Sequence, residues 1–203
     1  MIKLKDNDLL FAKVRPEAII PTKDDENAGY DIYANFEEDY ILIPQHETKL
    51  IPTGIASALS EKFYLQVHER GSTGSKGIKY SAGVIDSSYR GEIFIALTNT
   101  NIQDVIISKL SLEELINKYG KHDEYGCVYI EYGENIYNKA YLVDDIDEED
   151  YRAIIYPYKK AIAQLVVHEV SKMNVKEVTY EELKQIPSKR GTGSLGSSGK
   201  WDE

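Results

Sequence analysis

Asp86 and Tyr89 stand three residues apart within Ala82–Asn99, AGVIDSSYRGEIFIALTN. A carboxylate can orient and deprotonate a water, and an aromatic ring beside it can floor a ring-shaped substrate. Upstream, Glu69–Gly77 reads ERGSTGSKG. Glycines and hydroxyls around Arg70 and Lys76 give converging N–H and O–H donors, the composition of an anion cradle. The run lacks the G-x-x-x-x-G-K-[ST] pattern of a P-loop. Near the other end, Lys189–Lys200 reads KRGTGSLGSSGK. That composition is a flexible terminus, which could order over a polyphosphate with Arg190 as a bidentate clamp. The four histidines show no metal-ligand spacing, and the single cysteine, Cys127, excludes an internal disulfide and a cysteine-rich zinc site.

The elements that must position these residues read as short strands. In Ala82–Asn99, apolar runs at Val84–Ile85 and at Ile93, Ile95 and Leu97 flank a polar turn, which predicts a β-hairpin holding Asp86 and Tyr89 at a set separation. Leu10–Val14, Ala28–Ala34, Tyr40–Ile43, Thr48–Ile51, Ile55–Leu59 and Phe63–His68 read as further strands, separated by Pro- and Gly-rich turns. Within Ala28–Ala34, Gly29 implies close backbone approach or a bulge, and Asp31 faces away from Tyr30, Ile32 and Ala34. Ala161–Val170 (AIAQLVVHEV) is almost continuously apolar and reads as a fully buried strand, with Gln164 needing partners there. Strands this short and turns this frequent predict an all-β barrel or sandwich.

Between these lies Asn101–Lys160, with 13 acidic against 7 basic residues, hence −6 of the chain's net −10. Ser111–Glu114 is a capping box opening a short helix that stops at Gly120, and Val128–Tyr132 and Ala140–Val143 read as strands. This segment reads as an insertion, a helix and small β excursion facing solvent. A second capping box at Thr179–Glu182 starts a helix that ends before Pro187. The organisation expected is a first barrel part (1–100), an acidic insertion (101–160), a last barrel part (161–187) and a C-terminal arm (188–203). The net charge argues against a broad nucleic-acid surface but allows a small phosphorylated ligand. No stretch approaches the roughly 20 apolar residues of a membrane helix, and the first residues lack a signal peptide's apolar core. With one cysteine, a reducing cytoplasm is the expected compartment.

Five motifs taken together, AGYDIYA (28–34), ERGSTGSKG (69–77), AGVIDSSYRGE (82–92), AIAQLV (161–166) and RGTGSLGSSG (190–199), stand in the order of the trimeric dUTPase family, which the chain resembles. The resemblance implies a jelly-roll β-barrel with a small α/β insertion of phage type and a C-terminal arm. It implies hydrolysis of dUTP to dUMP and pyrophosphate by a homotrimer whose subunits jointly complete each site. Asp86 would then activate the attacking water, with Asp31 supporting the water and metal network. Tyr89 would stack on the deoxyribose, and the backbone of Ser81, Ala82, Gly83, Val84 and Ile85 would read uracil. Substrate contacts would also come from Arg70, Gly71, Ser72, Thr73 and Gln164, and from Arg190, Leu195, Gly196, Ser197 and Ser198 of the arm. Mg2+ would be held chiefly by the triphosphate and water, with no direct protein ligand.

The chain departs from the family pattern at several points. Gly71 separates Arg70 from Ser72, Ser88 stands where a second Asp is common, and Ala161 replaces an Arg. Leu195 replaces the aromatic residue that caps uracil, a loss of about 1 kcal/mol of stacking. The alternative enzyme is a dCTP deaminase, whose catalytic Glu corresponds to Ala96 here. A further alternative is a nucleotide-gated interaction module with a protein partner at 101–160.

Overall fold

The computed structural model describes residues 3–135, 138–143 and 152–193. The chain forms two compact units, residues 1–170 and 171–203. In the first, strands β1 (Leu9–Lys13), β2 (Gly29–Ile32), β3 (Tyr40–Ile43), β4 (Thr48–Pro52), β5 (Ile55–Leu59) and β6 (Phe63–His68) lead to one helical turn, α1 (Gly71–Gly74). There follow β7 (Ile78–Tyr80), β8 (Val84–Ile85), β9 (Phe94–Asn99) and β10 (Val105–Ser108). Next come α2 (Leu112–Tyr119), β11 (Lys121–His122), β12 (Val128–Glu131), β13 (Lys139–Val143), β14 (Ile154–Pro157) and β15 (Ala163–Glu169). The second unit holds α3 (Tyr180–Lys184), opened by the Thr179 capping box. The architecture is all-β. Among the described residues the ladders fall into five sheets of two to four strands and not one closed ring.

The sheet that matters for chemistry has the order β2-β15-β6-β8. Its central strand β15 places Gln164 opposite Asp31 on β2 and His68 on β6. Because side chains alternate faces, one register fixes all three side by side, and a one-residue slip would scatter them. The register is held from beneath, where Ile32, Leu65 and Leu165 are fully buried. Each contributes roughly 1.5–3 kcal/mol by leaving water.

The predicted hairpin across Ala82–Asn99 does not form as read. β8 pairs with β6, and β9 pairs with β7 and β4, so the two apolar runs lie in different sheets. Tertiary partners outcompete the local turn: Ile95 and Leu97 of β9 complete the buried core, whereas β8 offers two residues to the edge of β6. The Asp86 turn itself survives, with the Tyr89 N–H donating to Asp86 O at 3.0 Å. The strand read as fully buried, Ala161–Val170, is buried only in its first half: Val167 and Val170 are 37% and 44% exposed.

Segment 101–160 carries buried structure of its own. β10 lies between β3, antiparallel, and β14, parallel. Val105 and Ile107 face the main core together with Tyr156. Ile106, one residue out of phase, joins Leu42, Leu115, Ile130, Ala140 and Leu142 in a second core. A strand apolar on both faces is what serving two cores requires. α2 is clamped to β3's approach by Asp39, which accepts from Tyr119 Oη at 2.7 Å and from Lys118 Nζ. The charge run 144–150 lies outside the described residues.

Candidate active site

Two clusters carry the candidate residues. The first lines a cleft of about 600 Å³ formed by Asp31, Arg70, Gly71, Ser72 and Gln164 together with Thr22–Asp24 and Asn27–Gly29. Asp31 is pinned at both ends. Its N–H donates to Thr22 O at 2.8 Å, and its Oδ1 accepts from Arg70 Nε at 2.9 Å. Arg70 caps α1: its N–H donates to Thr73 Oγ1 at 3.1 Å, and that hydroxyl donates back to Arg70 O at 2.9 Å. The Thr73 hydroxyl is therefore closed on the backbone and lies outside the cleft lining. Arg70 Nη1 also donates to Ala161 O at 3.4 Å, the carbonyl that accepts from Tyr156 Oη at 2.6 Å. Burial pushes the Tyr156 phenol's pKa up, opposed by the Arg70 charge, so the phenol stays a neutral donor.

Gln164 donates through Nε2 to Glu69 O at 2.8 Å and lies against Gly29. A Cβ at Gly29 would fall 2.5 Å from Gln164 Oε1, which is why glycine stands there. Ser72 Oγ is buried with no hydrogen-bond partner. A hydroxyl left so costs about 1–3 kcal/mol unless a ligand satisfies it. The cleft thus offers a guanidinium, an ammonium (Lys23) and an amide, with the buried, unpartnered Ser72 hydroxyl in its wall, the donor set of an oxyanion ligand.

The second cluster surrounds β8. Ser81 N–H donates to Ala96 O at 2.9 Å and Gly83 O accepts from Val67 N–H at 2.8 Å, so Ser81–Ile85 is fixed to two strands at once. Asp86 is exposed, as are Val84 (66%) and Tyr89 (45%). Tyr89 Oη donates to Glu92 O at 2.9 Å, folding its ring over Gly91. Glu92 anchors the loop, accepting from Gly54 N–H at 2.8 Å and from Arg15 Nε at 2.9 Å.

One chain does not bring the clusters together. Ile85 pairs with Leu65, which sets Asp86 level with Tyr64, whereas Gln164 is level with His68 and one strand beyond β6. Four residues at about 3.3 Å along the strand and two strand spacings of about 4.8 Å across give a separation of roughly 16 Å. Asp86 is accordingly not among the residues that line the Gln164 cleft of the same copy. Arg190 lies in the second unit, where its Nε donates to Gly193 O at 3.3 Å. Leu195, Gly196, Ser197 and Ser198 lie outside the described residues. Sequence reading passed over Lys23, Tyr156 and the Arg15–Glu92 pair. Only Lys23 carried a signal, as the lone cation of the loop leading into AGYDIYA.

A family pattern described as dUTPase matches residues 15–111. The deoxyuridine 5'-triphosphate nucleotidohydrolase of Rickettsia bellii is 39% identical over 111 residues, 53% of this chain and 70% of that protein. The probable enzyme of the same name from Schizosaccharomyces pombe is 37% identical over 113 residues, 52% of this chain and 79% of its own. Among solved structures, Staphylococcus bacteriophage 80alpha dUTPase with dUPNHPP aligns with a TM-score of 0.63 at 23% identity, covering 96% of this chain and 99% of that one. A mutant dUTPase of phage phi11 of S. aureus, described for the coordination of a structural Mg(II) ion, aligns at 0.55 and 21% identity over 86% and 99%. At these identities the two structures speak for a shared fold.

Proposed function

The chain belongs to the dUTPase family, and on that premise we propose that it hydrolyses dUTP to dUMP and pyrophosphate. The observation that carries this reading is the cleft in which Arg70, Gln164 and the unpartnered Ser72 hydroxyl converge. The triphosphate occupies that cleft. Ser72 Oγ–H and Arg70 donate to its oxygens, and the Asp31 carboxylate keeps the guanidinium oriented. Asp86 takes a proton from the water that attacks the α-phosphorus, and pyrophosphate leaves. Tyr89 supplies the face for the deoxyribose, and the backbone of Ser81–Ile85 reads uracil.

The roughly 16 Å between Asp86 and the cleft favours a site shared between copies, with Asp86 and Tyr89 supplied by a neighbour. A homotrimer, with Arg190 and the arm through Ser198 closing the site, is the assembly we propose. The outer face of the β4-β9-β7 sheet supports close packing of copies: Leu50 and Phe94 are 67% and 43% exposed on it. Magnesium fits this cleft as an ion carried by the substrate. Asp31 is engaged by Arg70, and no group of three ligating side chains occurs among the described residues. Phosphate oxygens and water would hold the ion, with Asp31 in the outer sphere, and it would neutralise charge on the triphosphate.

The test is pyrophosphate release from dUTP, dCTP, dTTP and UTP with magnesium, alongside Asp86→Asn. Release from dUTP alone, lost in the variant, is expected. Conversion of dCTP to a uracil nucleotide would move the chain to deamination, and silence on all four would leave a binding role.

A further inference from the structure

Beyond the residues already assigned, the cleft contains a cation whose charge nothing nearby neutralises through an ion pair. Lys23 lines it from the loop before β2. The loop is tied at the same level as Asp31, whose N–H bonds Thr22 O at 2.8 Å. Lys23 Nζ donates to two backbone carbonyls, Asp24 O at 3.3 Å and Asp25 O at 3.1 Å, and stands 5.6 Å from the centre of the Tyr30 ring. Among the described residues it has no carboxylate partner within ion-pair distance. Arg70, the other cation of the cleft, is already engaged by Asp31.

An ammonium has three donors, and two carbonyls satisfy two of them. The third, with the full charge, is available to a ligand in the cleft. The ring contact steers the stem without neutralising it. The chemistry that matches is a dense, flexible anion, since an ammonium binds phosphate as a point charge and does not demand planar bidentate geometry.

We propose that Lys23 contacts the part of the triphosphate that leaves as pyrophosphate, and so stabilises the departing charge. This rests on the reading above that the cleft holds the triphosphate. Base and sugar belong to the exposed Tyr89 cluster and the α-phosphate to the Asp86 water, so the β- and γ-phosphates are what remain for this loop. Asp24, also in the lining, opposes the charge of any anion there, which makes the one lining cation without an ion-pair partner among the described residues more consequential.

The experiment compares the full chain with Lys23→Met, which keeps an apolar stem over Tyr30, and Lys23→Arg, which keeps the charge. Inhibition of dUTP hydrolysis is measured with inorganic pyrophosphate and, separately, with dUMP. Lys23→Met is expected to weaken pyrophosphate about tenfold, as loss of one charged hydrogen bond does, and to leave dUMP within about twofold. Lys23→Arg is expected to retain most of the pyrophosphate affinity. Unchanged pyrophosphate inhibition in Lys23→Met overturns the assignment, as does equal weakening of dUMP, the mark of a general disturbance. Calorimetric titration with inorganic tripolyphosphate runs alongside. If the parent chain releases no pyrophosphate from dUTP, the hydrolase reading falls, and the titration still judges Lys23 by whether the Met variant loses the heat of binding.

Discussion

Gly29→Ala tests whether the contact between β2 and Gln164 builds the cleft. Gly29 does not occupy the left-handed region, so alanine carries no backbone strain there. The added Cβ would lie 2.5 Å from Gln164 Oε1 and 3.0 Å from its Cβ and Cδ. The amide can swing away, but Gln164 Cβ cannot, because β15 is hydrogen-bonded to β2 on one side and β6 on the other. Overpacking of this kind costs about 1–3 kcal/mol. Losing the Gln164 bond to Glu69 O adds about 0.5–1.5. Gly29→Ala should therefore destabilise by about 2–4 kcal/mol and weaken anion binding in the same variant. Equilibrium urea unfolding at one fixed protein concentration reads the first effect, because the stability of the proposed oligomer would depend on concentration. Gln164→Gly removes Cβ, Cδ and Oε1 together, so in Gly29→Ala/Gln164→Gly more than half of the Gly29→Ala penalty should disappear, a coupling of about 1–2 kcal/mol. A Gly29→Ala protein as stable as its parent, or a double variant with additive losses, would refute the reasoning.

Other outcomes follow from the same geometry. Mixing and reassembling inactive Asp86→Asn with inactive Arg70→Ala should restore activity to a fraction of mixed sites, measured as pyrophosphate release; no recovery from demonstrably mixed oligomers would contradict shared sites. Glu92→Ala strands the Gly54 N–H and the Arg15 guanidinium. It should cost about 1–3 kcal/mol in urea unfolding and lower kcat through the displaced Asp86 loop. Burial, helped by Glu47, raises the pKa of Asp104 against the opposing Gln45 N–H, so its ionised form is disfavoured in the fold. Its contribution to stability is present in acid and falls as pH rises from its unfolded value through its folded one. Asp104→Asn keeps the acceptor for Gln45 and should be more stable than the parent at pH 7, with no advantage near about pH 3, by thermal melts at both. Ser111→Ala removes the cap of α2 and should cost about 1 kcal/mol.

What the sequence alone determined was local chemistry and local form. The alternation in β9, the capping boxes at Ser111 and Thr179, and the Gly29 approach each depend on neighbours a few residues away or on a single steric demand, and each is present in the fold. The motif residues Asp31, Arg70, Ser72 and Gln164 were legible as candidates because their order matches a family. Their meeting around one cleft was not, because it depends on β15 choosing β2 and β6 as partners. Tertiary structure likewise decided that Val84–Ile85 leaves β9 for β6, and that Ile106 and its neighbours Val105 and Ile107 divide between two cores. Pattern reading cannot separate these cases, since a two-residue apolar run satisfies any sheet edge and an all-apolar strand satisfies either face. Above all, the separation of Asp86 from Gln164 is set by which strand lies beside which. That spacing of three-dimensional neighbours is invisible along the chain, and it is what favours the proposed site shared between copies.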